Sequence, residues 1–146
     1  MARAKRKPSR RFVLDCSVVL AWYFADEADE YADSVAGALP TATALVPTLF
    51  HLEIANILVV GERRKRSTEA EATAFLTRLA QLPIIVDGQT VARAWSDTIA
   101  LARTHGLSSY DAAYLELASR ASAQLATLDE KLRNVARDMG TTIFSP

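Results

Sequence analysis

Four acidic side chains stand where chemistry could use them: Asp15, Glu53, Asp111 and Asp129. Each also has a plain structural job open to it. Asp15 directly follows a short apolar run and precedes Ser17, so either residue could cap a helix. Glu53 falls in an apolar stretch, on a helical stripe with Leu49, Asn56 and Val60. A carboxylate half buried there calls for a partner such as an arginine. Asp111 follows Ser108 by three residues, a capping-box-like spacing, and an acid in a first turn gains from the helix dipole. Asp129 follows a short strand and could cap the last helix.

Together the four suggest more. Three open helices, the fourth lies on a buried stripe, and a parallel sheet would bring all of them to its carboxyl edge. Gathered carboxylates raise one another's pKa values, because ionising one disfavours the next. A hard divalent cation reverses that penalty. Mg²⁺ or Mn²⁺ suits such an oxygen-rich set, and these ions can activate water in phosphodiester hydrolysis.

The elements that must position these acids can be read in order. RFVL (11–14) predicts a buried strand, and the spacing of Val18, Trp22 and Ala25 predicts a helix. A more polar helix is expected over Glu27–Leu39, ending at Pro40, then a strand over Ala44–Val46 and an apolar helix from about Thr48 to Val60, closed by Gly61. Glu62–Arg66 reads as a charged connector. Thr68 with Glu71 is a capping-box signature for the helix carrying Ala72, Phe75, Leu76 and Leu79. IIV (84–86) is a third strand, and Val91, Trp95, Ile99 and Ala102 mark a helix that stops at Gly106. Ser108 opens a helix through Ser119. A fourth strand (Gln124–Thr127), a helix (Asp129–Met139) and a closing strand (Thr141–Phe144) complete the chain. This alternation predicts an α/β protein, a three-layer α/β/α sandwich with a short, mainly parallel central sheet, whose ligands bind at the carboxyl ends of the strands.

The segments VLDCSVVLAW (13–22), PTLFHLEIANIL (47–58), LSSYDAAYLELA (107–118) and ATLDEKL (126–132) make the chain resemble a PIN-domain ribonuclease, specifically a VapC-type toxin of a toxin–antitoxin pair. With the element order, the resemblance spans nearly all of residues 12–146, and LSSYDAAYLELA is its most specific part. It implies a Mg²⁺- or Mn²⁺-dependent endoribonuclease with Asp15, Glu53, Asp111 and Asp129 as the acidic site and Ser17, Asn56 and Thr127 in support. It also implies Asp15 and Asp111 as direct metal ligands, Asp129 as a ligand that can act through water, and water as the attacking group on an RNA phosphodiester. The implied partners are an RNA substrate, a cognate VapB-type antitoxin pushing a basic side chain toward the acids, and a second copy in a homodimer.

Composition narrows the alternatives. At 146 residues, half hydrophobic and 23% charged, the chain is one globular domain long enough to bury its own core. Its single cysteine, Cys16, excludes an intrachain disulfide, and no Cys/His set resembles a zinc site. No stretch approaches the roughly 18 apolar residues of a membrane span. The basic start followed by an apolar run superficially mimics a secretory signal, but Asp15, Asp26 and Glu27 interrupt it; a soluble, cytoplasmic protein is expected.

Seventeen basic residues balance seventeen acidic ones, yet six of the basic ones (Arg3, Lys5, Arg6, Lys7, Arg10, Arg11) precede residue 12. That leaves eleven against seventeen, a net charge of −6 over residues 12–146. Residues 1–11 thus read as a basic tail and 12–146 as the nuclease-like domain. An acidic body argues against a module that only coats nucleic acid. The tail and ERRKR (62–66) could attract RNA backbone, though a solvated terminus and a charged connector are the simpler readings. His51, about 160° around its helix from Glu53, and His105, in a helix C-terminal turn, are not assigned to catalysis. Trp22, Tyr23 and Phe24 read as core or interface, and Cys16 as buried packing.

Three rival functions fit these residues less well. A haloacid-dehalogenase-like phosphatase needs a second Asp where Ser17 stands. A phosphoacceptor receiver-like signalling domain could use Asp87 but needs a lysine that TTIFSP lacks. A non-catalytic PIN-fold binding module would show a degraded acid set, and this one is intact.

Overall fold

A computed structural model describes residues 10–146. Its strands are β1 (Arg10–Leu14), β2 (Ala42–Pro47), β3 (Ile84–Asp87) and β4 (Gln124–Ala126), and all pair in parallel in the order β3-β2-β1-β4. The helices flanking this sheet are α1 (Cys16–Tyr23), α2 (Glu30–Ala38), α3 (Phe50–Arg63), α4 (Glu69–Leu79), α5 (Thr90–Arg93), α6 (Ile99–His105), α7 (Ser109–Arg120) and α8 (Glu130–Asp138). The expected α/β architecture is therefore the observed one.

Burial explains the strand order. Phe12, Val13 and Leu14 are wholly buried, as a continuous apolar run should be when helices cover both faces of a parallel sheet. β1 accordingly lies between β2 and β4. At the edge, β3 leaves Ile85 and Val86 exposed. Helix α7 packs on β1, β2 and β4, and every residue from Ala112 to Ala118 is buried.

The register positions the site. Leu14 pairs with Ala126, and the Asp15 amide donates to the Ala126 carbonyl at 3.0 Å, extending the ladder past the strand ends. Asp15 and Thr127 consequently leave the sheet side by side at its carboxyl edge.

Several elements depart from the sequence reading. Helix α3 does not close at Gly61 but runs to Arg63; a Cβ at Gly61 would come within 2.9 Å of Phe24 Cζ, so the glycine serves close approach rather than chain reversal. Helix α2 begins only at Glu30, where the Asp29 carboxylate accepts from the Ala32 amide at 3.1 Å, and Ala25–Glu27 form a separate 3₁₀ turn. The helix expected through Val91 and Trp95 is interrupted by a π-helical turn over Ala94–Thr98, and those two side chains face solvent. The closing strand reduces to a single bridge, Leu125 to Ile143, beside which Phe144 stacks on Phe12 with ring centroids 4.1 Å apart. Residues 1–9, and with them most of the basic tail, lie outside the described residues. Arg10 and Arg11 belong to β1, and the Arg10 guanidinium donates to the Ser145 carbonyl at 2.7 Å.

Candidate active site

Asp15 holds the N-cap position of α1, but its carboxylate caps nothing. Its Oδ2 instead accepts from the Ser17 hydroxyl at 2.6 Å and the Thr127 hydroxyl at 2.7 Å. Each hydroxyl has a single proton, which goes to Asp15. The hydroxyl oxygens then accept from the backbone of the β4–α8 loop: Ser17 Oγ from the Leu128 amide at 2.9 Å, Thr127 Oγ1 from the Asp129 amide at 3.0 Å. Both support one carboxylate oxygen, and no described side chain donates to the other. Burial is the main reason the Asp15 pKa is raised; the two hydroxyls pull it back, and the charge of Asp129 adds to the rise.

Glu53, in the first turn of α3, is half buried and has no arginine partner among the described residues. Its Oε1 accepts from the Tyr114 hydroxyl at 2.6 Å and the Cys16 thiol at 3.4 Å, and the thiol and hydroxyl are 3.0 Å apart. Burial raises the Glu53 pKa, offset in part by these donors, with Asp15 and Asp111 adding smaller upward contributions. Tyr114 and Cys16 are the members of this site that the sequence reading missed. Each looks like core, and only their meeting on one carboxylate marks them.

Asp111 stands in the first turn of α7, where its amide donates to Ser108 Oγ at 3.0 Å. Burial, then the charges of Asp15 and Asp129, raise its pKa. Asp129 does perform the capping job, Oδ1 accepting from the Leu132 amide at 2.7 Å. Asp129 acts by its charge on Asp15 and Asp111, and Asp15 and Asp111 act on Glu53. Asn56 is exposed and outside the hydrogen-bond network.

Among the described residues none of the four acids forms a salt bridge; the positive charge acting on the set is that of Lys131, which partly offsets the rise at Asp111. Nor do three His, Cys, Asp or Glu side chains stand close enough to ring an ion by themselves. A set of carboxylates without salt-bridge partners, none of them close enough to others to form a cage, fits an ion that keeps several of its waters, the habit of Mg²⁺. Asp87, the residue a receiver-like reading would use, is taken up by Arg120, whose guanidinium donates to both carboxylate oxygens at 2.8 and 3.1 Å and lowers its pKa.

Comparison with known proteins gives the family and the fold. The PIN domain family model matches residues 12–138, and the chain belongs to that family. Within the family its relatives are of the VapC type: it is 33% identical over 122 residues to ribonuclease VapC3 of Pyrobaculum aerophilum, covering 84% of this chain and 92% of that one. The crystal structure of PAE2754 from the same organism superposes with a TM-score of 0.63 at 21% identity, over 90% of this chain and 83% of the other. That of FitAcB from Neisseria gonorrhoeae gives 0.60 at 17% identity, over 92% and 97%. Both share the fold.

Proposed function

We propose that this chain is a divalent-metal-dependent endoribonuclease toxin of the VapC type, cytoplasmic and homodimeric, which a VapB-type antitoxin holds inactive. The observation that carries the reading is the acid set without salt-bridge partners around buried Asp15, in a chain one-third identical to a named ribonuclease. Asp15 and Asp111 would hold Mg²⁺ or Mn²⁺ directly, with Asp129 reaching it through water. When bound, the ion supplies Lewis-acid polarisation of the phosphate and activation of water. Ser17 and Thr127 orient Asp15 and favour its ionised form against the effect of burial by donating to Oδ2. Glu53, its pKa raised by burial and its Oε2 without a hydrogen-bond donor among the described residues, is the carboxylate suited to take up a proton from the attacking water. The same concentration of negative charge would make the site receptive to a basic antitoxin side chain. No described helix is long and apolar enough to cross a membrane, which accords with the cytoplasmic reading.

RNA 5′ ends mapped in cells after brief induction test this directly, with wild type compared against Asp111→Asn. Discrete cleavage sites present only with wild type are expected. Identical RNA from cells carrying either protein, both folded and free of antitoxin, would overturn the ribonuclease reading in favour of a binding module.

A further inference from the structure

We infer that Tyr114 is a positioning residue for Glu53: its buried hydroxyl, together with the Cys16 thiol, clamps the Glu53 carboxylate in the acidic site. The inference rests on the ribonuclease reading and deepens it. Tyr114 is wholly buried, so it cannot touch RNA and any effect on the reaction must pass through a neighbour. A phenylalanine would fill the same space; the hydroxyl is there for a partner. That partner is Glu53 Oε1, at 2.6 Å.

Proton accounting fixes the direction of the clamp. The phenol has one proton, and the 2.6 Å contact assigns it to the carboxylate. The thiol then faces the phenol oxygen at 3.0 Å and Glu53 Oε1 at 3.4 Å, closing a three-membered ring of contacts. One residue comes from each of α1, α3 and α7, the elements whose first turns or caps carry Asp15, Glu53 and Asp111. The clamp thus ties together the helices that present these acids. Glu53 needs it: a half-exposed glutamate with three side-chain torsions otherwise spreads over several rotamers. Engaging Oε1 alone leaves Oε2 available for proton transfer.

A double-mutant cycle tests the inference, using Tyr114→Phe, Glu53→Gln and the double variant. Turnover is read on an RNA oligonucleotide spanning a mapped cleavage site, and Mn²⁺ binding by paramagnetic resonance. Tyr114→Phe should lower kcat about tenfold, with KM for RNA unchanged within about a factor of two, as expected when a positioned group is misplaced. Because the Glu53 carboxylate is coupled by charge to Asp15 and Asp111, displacing it should also weaken the hold of those acids on Mn²⁺ several-fold, and in the Glu53→Gln background Tyr114→Phe should change neither quantity further. Losses that add across the cycle, or a Tyr114→Phe protein with wild-type kcat, would overturn the inference by reducing Tyr114 to packing. Should Tyr114→Phe fold poorly, Cys16→Ala, which removes the other donor to the same oxygen, takes its place with the same expected non-additivity. A folded wild type that cleaves no RNA would instead remove the ribonuclease reading, and the Mn²⁺ cycle alone would still decide whether Tyr114 acts through Glu53.

Discussion

Asp15 and Asp129 occupy equivalent cap positions after parallel strands, yet only Asp129 caps its helix. The difference comes from neighbours: the hydroxyls of Ser17 and Thr127 converge on Asp15 and withdraw its carboxylate from the helix end. The acids themselves were legible in the sequence because their spacing follows the strand–helix alternation. The partners of Glu53 were not, since a tyrosine and a cysteine among apolar neighbours carry no signal until the fold brings them to one oxygen. Holding these acids together has a thermodynamic consequence. Burial and the charges of Asp15 and Asp129 raise the Asp111 pKa above its ordinary 3.8. A carboxyl with a raised folded pKa binds its proton more tightly in the folded than in the unfolded chain. Its contribution to stability therefore falls as pH rises from the unfolded pKa through the raised folded one, and stays lower above it. Asp111→Asn removes that loss. In metal-free protein at neutral pH the variant should melt above wild type, and the gap should close as pH falls toward about 4. Saturating Mg²⁺ should reverse the order, because an ion bound only to the folded wild type stabilises it by mass action. A gap that ignores both pH and metal would show that Asp111 feels no electrostatic strain.

Helix α3 shows what periodicity reveals and what it hides. Its apolar run and the placement of Glu53 were readable, but Gly61 looked like a terminator because glycine after a periodic stretch usually is one. Here the helix continues because Gly61 lets Phe24 lie against the backbone, and the Arg66 guanidinium sits 3.8 Å above the same ring. Arg66 also pairs with Asp26 and Glu27, so the end of α3 is tied to the turn after α1, the helix that Asp15 precedes. Gly61→Ala sets two effects against each other. Alanine is favoured in a helix interior by about 1 kcal/mol, while a methyl forced against a packed ring costs about 1–3 kcal/mol. Contact at 2.9 Å lies below any ordinary Cβ approach, so the clash should win. Urea unfolding should give a lower midpoint at unchanged slope, a net loss of about 1 kcal/mol. A higher midpoint would mean that the Phe24 ring yields freely and that the glycine is not needed for packing. The π-helical turn at Ala94–Thr98 was illegible for a related reason: Val91, Trp95, Ile99 and Ala102 fit an α-helical stripe, and nothing local records the extra residue in that turn.

Over the whole molecule, the parallel sheet and its site edge followed from the order of apolar runs, whereas the covering of the apolar surface did not. Hydrophobic spacing distinguishes one face of a helix from another without saying whether the same chain or a second one packs on it. Trp95 and Val91 show this: both belong to an apolar stripe, yet they are 93% and 80% exposed. Scattered exposed apolar residues are ordinary, but a tryptophan this bare, one helical turn from a bare valine, is the composition of an interface core. The homodimer proposed for this toxin supplies an occupant of the right kind, since a symmetric pair buries the same patch from both sides. The body's net charge of −6 makes the association depend on such apolar contact, because two like-charged copies repel. Sedimentation at micromolar concentration should therefore find wild type as a dimer. Trp95→Glu should sediment as a monomer with an unchanged circular dichroism spectrum, because the side chain leaves almost nothing unfilled within its own subunit. Raising the salt should strengthen the wild-type dimer by screening the repulsion. A Trp95→Glu protein that remains dimeric would place the dimer contact elsewhere.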